Sequence, residues 1–198
     1  MKRNGNLIGY ILIIFTIGVM LKIYLESDAF NLKCIVSDVD GKKYCVRERS
    51  KMTLAADLLA STTQKMKQLV KFMGKKYPNR ENVRLLVNNF NPQKVKEILP
   101  TSEYTAYSEN KGEKLAFCTT KTKKGDRLID KNTLMFVALH ELSHIATVSI
   151  GHTKEFWANF KFIIQNAKKM GIYEPKNYKA NPTTYCGLTI TDNPYYDL

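Results

Sequence analysis

The chain has 198 residues, 44% of them hydrophobic and 25% charged, and its 31 Lys and Arg against 18 Asp and Glu give a formal charge of +13. That composition excludes a collagen-like, low-complexity or disordered chain, and the length fits one domain with a short appendage. The basic excess is carried by 25 lysines against 6 arginines; lysine is the usual solvated surface charge and arginine the residue of bidentate phosphate or base recognition, so nucleic acid is not the expected partner.

Residues 7–25 read LIGYILIIFTIGVMLKIYL, with Lys22 as their one charge. At about 1.5 Å per residue the run covers roughly 28 Å, near the thickness of a bilayer core, and Lys22 can snorkel to the interface. The reading is a single membrane span that meets the lipid bilayer through residues 7–25. Lys2 and Arg3 also suit the n-region of a cleaved signal peptide, but the following ESDAFNLK offers no small-x-small cleavage site, so an uncleaved signal-anchor is expected. A buried globular helix is the third reading, and the lack of any polar face argues against it in a chain of this size. Lys2 and Arg3 precede the span and only Lys33 closely follows it. The positive-inside rule then gives a single-pass protein with a cytoplasmic N-terminus and an extracytoplasmic domain. The expected division is 1–29 for tip and anchor and 30–198 for the domain.

Cys34 and Cys45 flank a turn at residues 38–41, which would set them opposite one another across a hairpin, within reach of a disulfide and suited to an oxidising compartment. Two ordinary buried thiols are the competing reading, and Cys118 and Cys186 are too far apart in sequence to pair by argument. Ser50 is placed to cap a helix reaching about residue 74, with Leu54, Leu58, Met66, Leu69 and Met73 near helical spacing. Residues 83–87 read as a short strand, and Asn91-Pro92 opens a short helix that Pro100 ends. Residues 105–108 and 114–119 read as a second hairpin, followed by a basic loop at 120–129. Its Lys121, Lys123, Lys124 and Arg127 surround Gly125 without aromatic interleaving, as in a solvated loop. Asp130 is placed to cap a helix over 131–149. A further helix over 153–170 carries Phe156, Trp157, Phe160, Ile163, Ile164 and Ala167 on one stripe and stops at Gly171; Phe156 and Trp157 read as core. From residue 172 an ordered coil is expected to wrap the domain. Helix, short strands and then two helices make an α+β domain.

The chemistry concentrates in LMFVALHELSHIATVSIGHTKEFW. On a helix His140 and His144 stand at i and i+4, so both imidazoles project from one face and can share a metal ion, while Glu141 can reach water at that ion. Gly151 lets the chain fold His152 back as a third nitrogen. Three nitrogens and one open position are the pattern of a catalytic zinc site. In a chain of this composition H-E-x-x-H is expected by chance ~0.002 times. The chain has only 3 histidines, and all belong to this constellation. An ordinary core helix whose histidines bond backbone carbonyls is the competing reading.

The segment resembles the zincin metallopeptidases, and most closely the SprT-like and WLM-type group, through His140, Glu141, His144, Gly151, His152, Glu155, Phe156 and Trp157; the match covers about residues 105–170. One departure is that seven residues separate His144 from His152, a longer spacing than in compact relatives. The resemblance implies a zincin-like domain, a small sheet plus an active-site helix and a following helix, behind the N-terminal transmembrane helix. It also implies Zn2+ held by His140, His144 and His152, with Glu141 moving protons during hydrolysis of a protein or peptide substrate. The substrate would lie along the sheet edge, with strand 114–119 as its neighbour. Glu155 or Glu174 are the alternative third ligands, and Tyr173 and Tyr185 are candidate oxyanion donors whose competing reading is tail anchoring. Lysine-rich proteins with such a span also resemble those of large DNA viruses, which implies a virion membrane. Two other functions compete. One is a catalytically silent zincin-fold structural protein. The other is a nucleic-acid-associated protease, as relatives acting on protein crosslinked to DNA suggest; the charge after residue 25 is still +10, three of the 31 basic residues lying before it, but the span and topology oppose this reading.

Overall fold

In a computed structural model of the chain, residues 4–27 and 31–197 are described. The Lys2 and Arg3 flank, and with it the basis of the expected orientation, lies outside the described residues, as does the boundary expected between 29 and 30. Helix α1 (Asn4–Glu26) has no polar face. Its stretch Asn6–Leu25 is long and apolar enough to cross a membrane by length and composition, and none of that stretch is buried against the rest of the protein.

The remainder is a mixed α+β domain on a five-stranded sheet. Strands β1 (Leu32–Val36) and β2 (Lys43–Arg47) form the expected hairpin, with Cys34 opposite Cys45 and a disulfide joining them. The sheet continues through β3 (Val95–Glu97) and β5 (Lys114–Phe117) to β4 (Ala106–Glu109) in the order β1-β2-β3-β5-β4. β3 is parallel to both neighbours, and β4 is antiparallel to β5. Helix α2 (Met52–Lys76) packs on β1, β2 and β3. It buries Leu58, Met66, Leu69 and Met73 as expected, whereas Leu54 is exposed.

Four local expectations are corrected. Ser50 does not cap α2: the cap position is Lys51, one residue later, and no side-chain capping bond is made there. Residues 83–87 lie in helix α3 (Glu81–Asn89) instead of a strand. Val83 and Leu86 are the residues it buries, three apart on one helical face, whereas strand alternation would bury Val83, Leu85 and Val87. The short helix expected after Asn91-Pro92 is strand β3, in which Val95 and Glu97 are buried and Lys96 is half-buried, the period of a strand. The Glu97 carboxylate accepts from Arg47 N and Nε (both 2.9 Å), Arg49 Nη2 (2.7 Å) and Thr119 Oγ1 (2.7 Å), so a charge inside the sheet is matched by donors from neighbouring segments. Finally β5 is internal and β4 is the edge strand, the reverse of the expected substrate neighbour.

Helix α4 (Lys131–Ile145) runs through the core, packed by α2, α3, β4, β5 and helix α5 (Lys154–Lys169). The tail buries Tyr173, Tyr178 and Tyr185 and forms a second two-stranded sheet, β6 (Thr183–Tyr185) with β7 (Leu188–Ile190). A disulfide between Cys118 and Cys186, unreadable from the sequence, ties this hairpin to the end of β5.

Candidate metal centre and cleft

Asp130 starts α4 as expected: its carboxylate accepts from Thr133 N at 2.9 Å and Thr133 Oγ1 at 2.7 Å. Most of the helix is apolar and fully enclosed, so its direction is set by burial on several sides. It ends at Ile145, four residues before the expected end. The cause is that side chains take over the polar backbone of the following turn. Lys111 Nζ donates to the carbonyls of Thr147 (2.7 Å), Val148 (3.3 Å) and Ser149 (3.0 Å). The Glu155 carboxylate accepts from Val148 N (3.0 Å), Ser149 N (3.2 Å) and Ser149 Oγ (2.7 Å). With carbonyls held from one side and amides from the other, the backbone of residues 147–149 is satisfied as the chain leaves the helix. Gly151, at φ +81°, then turns it toward His152. Thr153 caps α5, accepting from Phe156 N at 3.3 Å.

This path brings the three histidines together. His140 Nε2 lies 3.2 Å from His144 Nε2 and 3.0 Å from His152 Nε2, and the set of candidate ligand atoms falls within 4.8 Å. Imidazole nitrogens bound to one tetrahedral metal at about 2.0–2.1 Å are separated by roughly 3.3 Å, so the donor set fits a single ion. The buried Phe156 ring lies 4.4 to 4.9 Å from all three imidazoles and backs the cluster.

Burial, and then repulsion from His144 and His152, pushes His140 down to about 3; burial, His152 and Lys111 push His144 down to about 4. Both are therefore neutral at pH 7, the state in which an imidazole offers a lone pair. Glu141, 5% exposed, is raised to about 8 by burial and lines the same cleft as His140 and His144. That cleft measures about 1120 Å³ and lies between edge strand β4, the histidine face of α4, the turn to His152 and the tail hairpin.

The other candidates are engaged by the fold, and two of them, Tyr185 and Trp157, also line the cleft. Glu155 is occupied by the turn, and Glu174 meets Asn132 through its backbone, so neither belongs to the histidine cluster. Tyr185 donates its hydroxyl to Thr105 O (3.1 Å) and accepts from Cys118 N (3.0 Å), while Tyr173 accepts from Asn193 Nδ2 (3.0 Å). Both anchor the tail. Trp157 is not core as expected: it stands 41% exposed on the cleft, its ring 5.8 Å from that of His152. The Lys111 brace was invisible in the sequence, since 36 to 38 residues separate it from the carbonyls it holds.

No protein-family model matches the chain. An uncharacterized protein of Acanthamoeba polyphaga mimivirus is 30% identical over 172 residues, covering 85% of this chain and 85% of the relative. An uncharacterized protein of Invertebrate iridescent virus 3 is 36% identical over 102 residues, 52% of this chain and 58% of its own length. Among solved structures, Wss1 from Saccharomyces cerevisiae aligns over 64% of this chain and 87% of its own, at 17% identity and a TM-score of 0.48. With 30% identity sustained over 85% of both sequences, the chain belongs to the same family as the uncharacterized mimivirus protein.

Proposed function

We propose that this protein is a membrane-anchored, zinc-dependent peptidase of a viral membrane. The observation that carries the reading is the convergence of three imidazoles beside a buried carboxylate in one open cleft. His140, His144 and His152 would hold the ion. Zinc supplies Lewis acidity, which makes water nucleophilic at neutral pH and polarises a peptide carbonyl. Glu141 would take a proton from the attacking water on its carboxylate and pass it to the leaving amine; burial raises Glu141 to about 8 in the metal-free protein, which favours the protonated acid, and a cation at the histidines would favour the carboxylate that the first transfer needs. The unpaired side of β4 gives an extended peptide a backbone to align with across the histidines.

The apolar, unburied stretch of α1 supports anchoring in a lipid bilayer, and the Cys34–Cys45 and Cys118–Cys186 disulfides support a domain on the oxidising side. The relatives in mimivirus and an iridescent virus support a viral source.

The test is zinc content and peptide turnover of the purified protein beside three variants. His140→Ala and His152→Ala lose most of the zinc. Glu141→Gln keeps it while turnover falls by about 100-fold or more. Zinc that persists in both histidine variants rules out the ligand set, and turnover that survives Glu141→Gln rules out the proton carrier.

A further inference from the structure

Large apolar side chains break the surface on the His152 side of the cleft. Ile150 is 90% exposed and Trp157 41%, and both line the cleft that contains His140 and His152. A third, Leu188 of the tail hairpin, is 59% exposed and lines the same cleft. Ile150 is not at the tip of a loose loop. The two residues before it are gripped by Lys111 and Glu155, and Ser149 Oγ also meets Thr153 Oγ1 at 2.7 Å. The turn therefore holds Ile150 outward while it delivers His152 inward. On the other side of His152, α5 presents Trp157 immediately after the buried Phe156 that backs the imidazoles.

We infer that Ile150 and Trp157 form an apolar subsite beside His152, and that the preferred substrates are peptides carrying a large apolar side chain next to the bond held at the histidines. The inference rests on the peptidase reading and names its substrate class. Continuity selects the occupant: the two side chains adjoin His152, so whatever covers them also lies over the histidines. A lipid surface or a second copy seated there would close the cleft, whereas a substrate side chain fills the rim in the course of turnover. Burial of apolar surface on both partners makes such a rim discriminate between large apolar and small polar side chains by roughly 10-fold to 100-fold.

Trp157 is the chain's single tryptophan, so its fluorescence reads this rim without any need for turnover. The experiment uses the full-length Glu141→Gln protein, zinc-loaded in phospholipid nanodiscs. It is titrated with capped alanine hexapeptides bearing one phenylalanine, or one serine, at each position in turn. The expected result is a blue shift with an affinity at least tenfold tighter for the best phenylalanine peptide than for its serine partner. In Ile150→Ser, which changes an exposed side chain and keeps the zinc, most of that difference is lost. Equal affinities, a difference untouched by Ile150→Ser, or a blue shift produced by the lipid disc without peptide each overturn the subsite. Wild-type protein separates the two levels. Zinc-dependent cleavage without an apolar preference removes the subsite alone, while absence of zinc or of cleavage in every peptide removes the peptidase reading and the subsite with it.

Discussion

Two helices of this chain are apolar almost all round, and they have opposite surroundings. α1 leaves its Leu, Ile, Val and Phe side chains exposed from Leu7 to Leu25. α4 buries Leu134, Met135, Ala138, Leu139 and Leu142 completely, between other helices and the sheet. Lack of a polar face says only that a helix avoids water. What separates the two is their polar groups. In α1 the Thr16 hydroxyl merely turns back to the Ile13 carbonyl. α4 carries a capping Asp130, a Ser143 hydroxyl bonded to Leu139 O, and the His140, Glu141 and His144 side chains that open on the cleft. Protein neighbours let a buried helix keep polar side chains that a lipid neighbour would not satisfy.

The sharpest way to break this comparison is to place the same charge in both helices. Leu139→Lys in α4 buries an unpaired ammonium and is expected to cost more than about 4 kcal/mol, enough to unfold the domain in a urea titration. Ile14→Lys in α1 should leave the domain's unfolding free energy within about 0.5 kcal/mol of wild type while reducing membrane retention, since a lysine at the centre of a span costs about 2.5–3.5 kcal/mol. Destabilisation of the domain by Ile14→Lys would place α1 in the core instead.

A smaller effect tests the polar face of α4 through pH. In the metal-free protein, His140 and His144 have folded pKa values below their ordinary 6.5, so their stabilising contribution is complete above pH 6.5 and is lost as pH falls from there. Glu141 is shifted the other way, from 4.5 to about 8, so its contribution is complete below pH 4.5 and is lost as pH rises toward 8. Two rising contributions against one falling put the optimum of these three groups near pH 6.5. Thermal unfolding in chelator should therefore show a decline above it of about 2 kcal/mol by pH 8, at 1.36 kcal/mol per unit over 1.5 units. Glu141→Gln abolishes that decline. Zinc should move the optimum upward, because a cation favours the carboxylate and competes with protons for the imidazoles. An unchanged optimum would mean that no cation reaches this face.

The smallest effect concerns the start of α4. Asp130→Ala removes the cap and should cost about 1 kcal/mol in urea denaturation, with zinc content unchanged because the histidines lie near the other end of the helix.

What could be read from the sequence depended on the reach of each interaction. The histidine helix, its Asp130 cap and the Thr153 start of α5 are determined by residues three or four apart, and they fall where local reasoning puts them. Cys34 and Cys45 face one another because the intervening turn is short. β3 was misread because its strand character comes from partners twenty to fifty positions away, Leu115 to Phe117 and Cys45, with no local alternation long enough to reveal it. α3 was misread because its β-branched and leucine residues suit either state, and tertiary burial of Val83 and Leu86 decided between them. The early end of α4 depends on Lys111 and the second disulfide on a 68-residue separation, both beyond any window of periodicity.

That second disulfide also changes what kind of object the chain is. Bonding Cys118 to Cys186 closes residues 118–186 into a covalent ring, and all three histidines, Glu141, α4 and α5 lie on it. A single backbone cut anywhere in the ring, including the exposed turn at Ile150, leaves both pieces joined through sulfur. The ring also closes only after α4 and α5 have both been made, because Cys186 follows them in the chain.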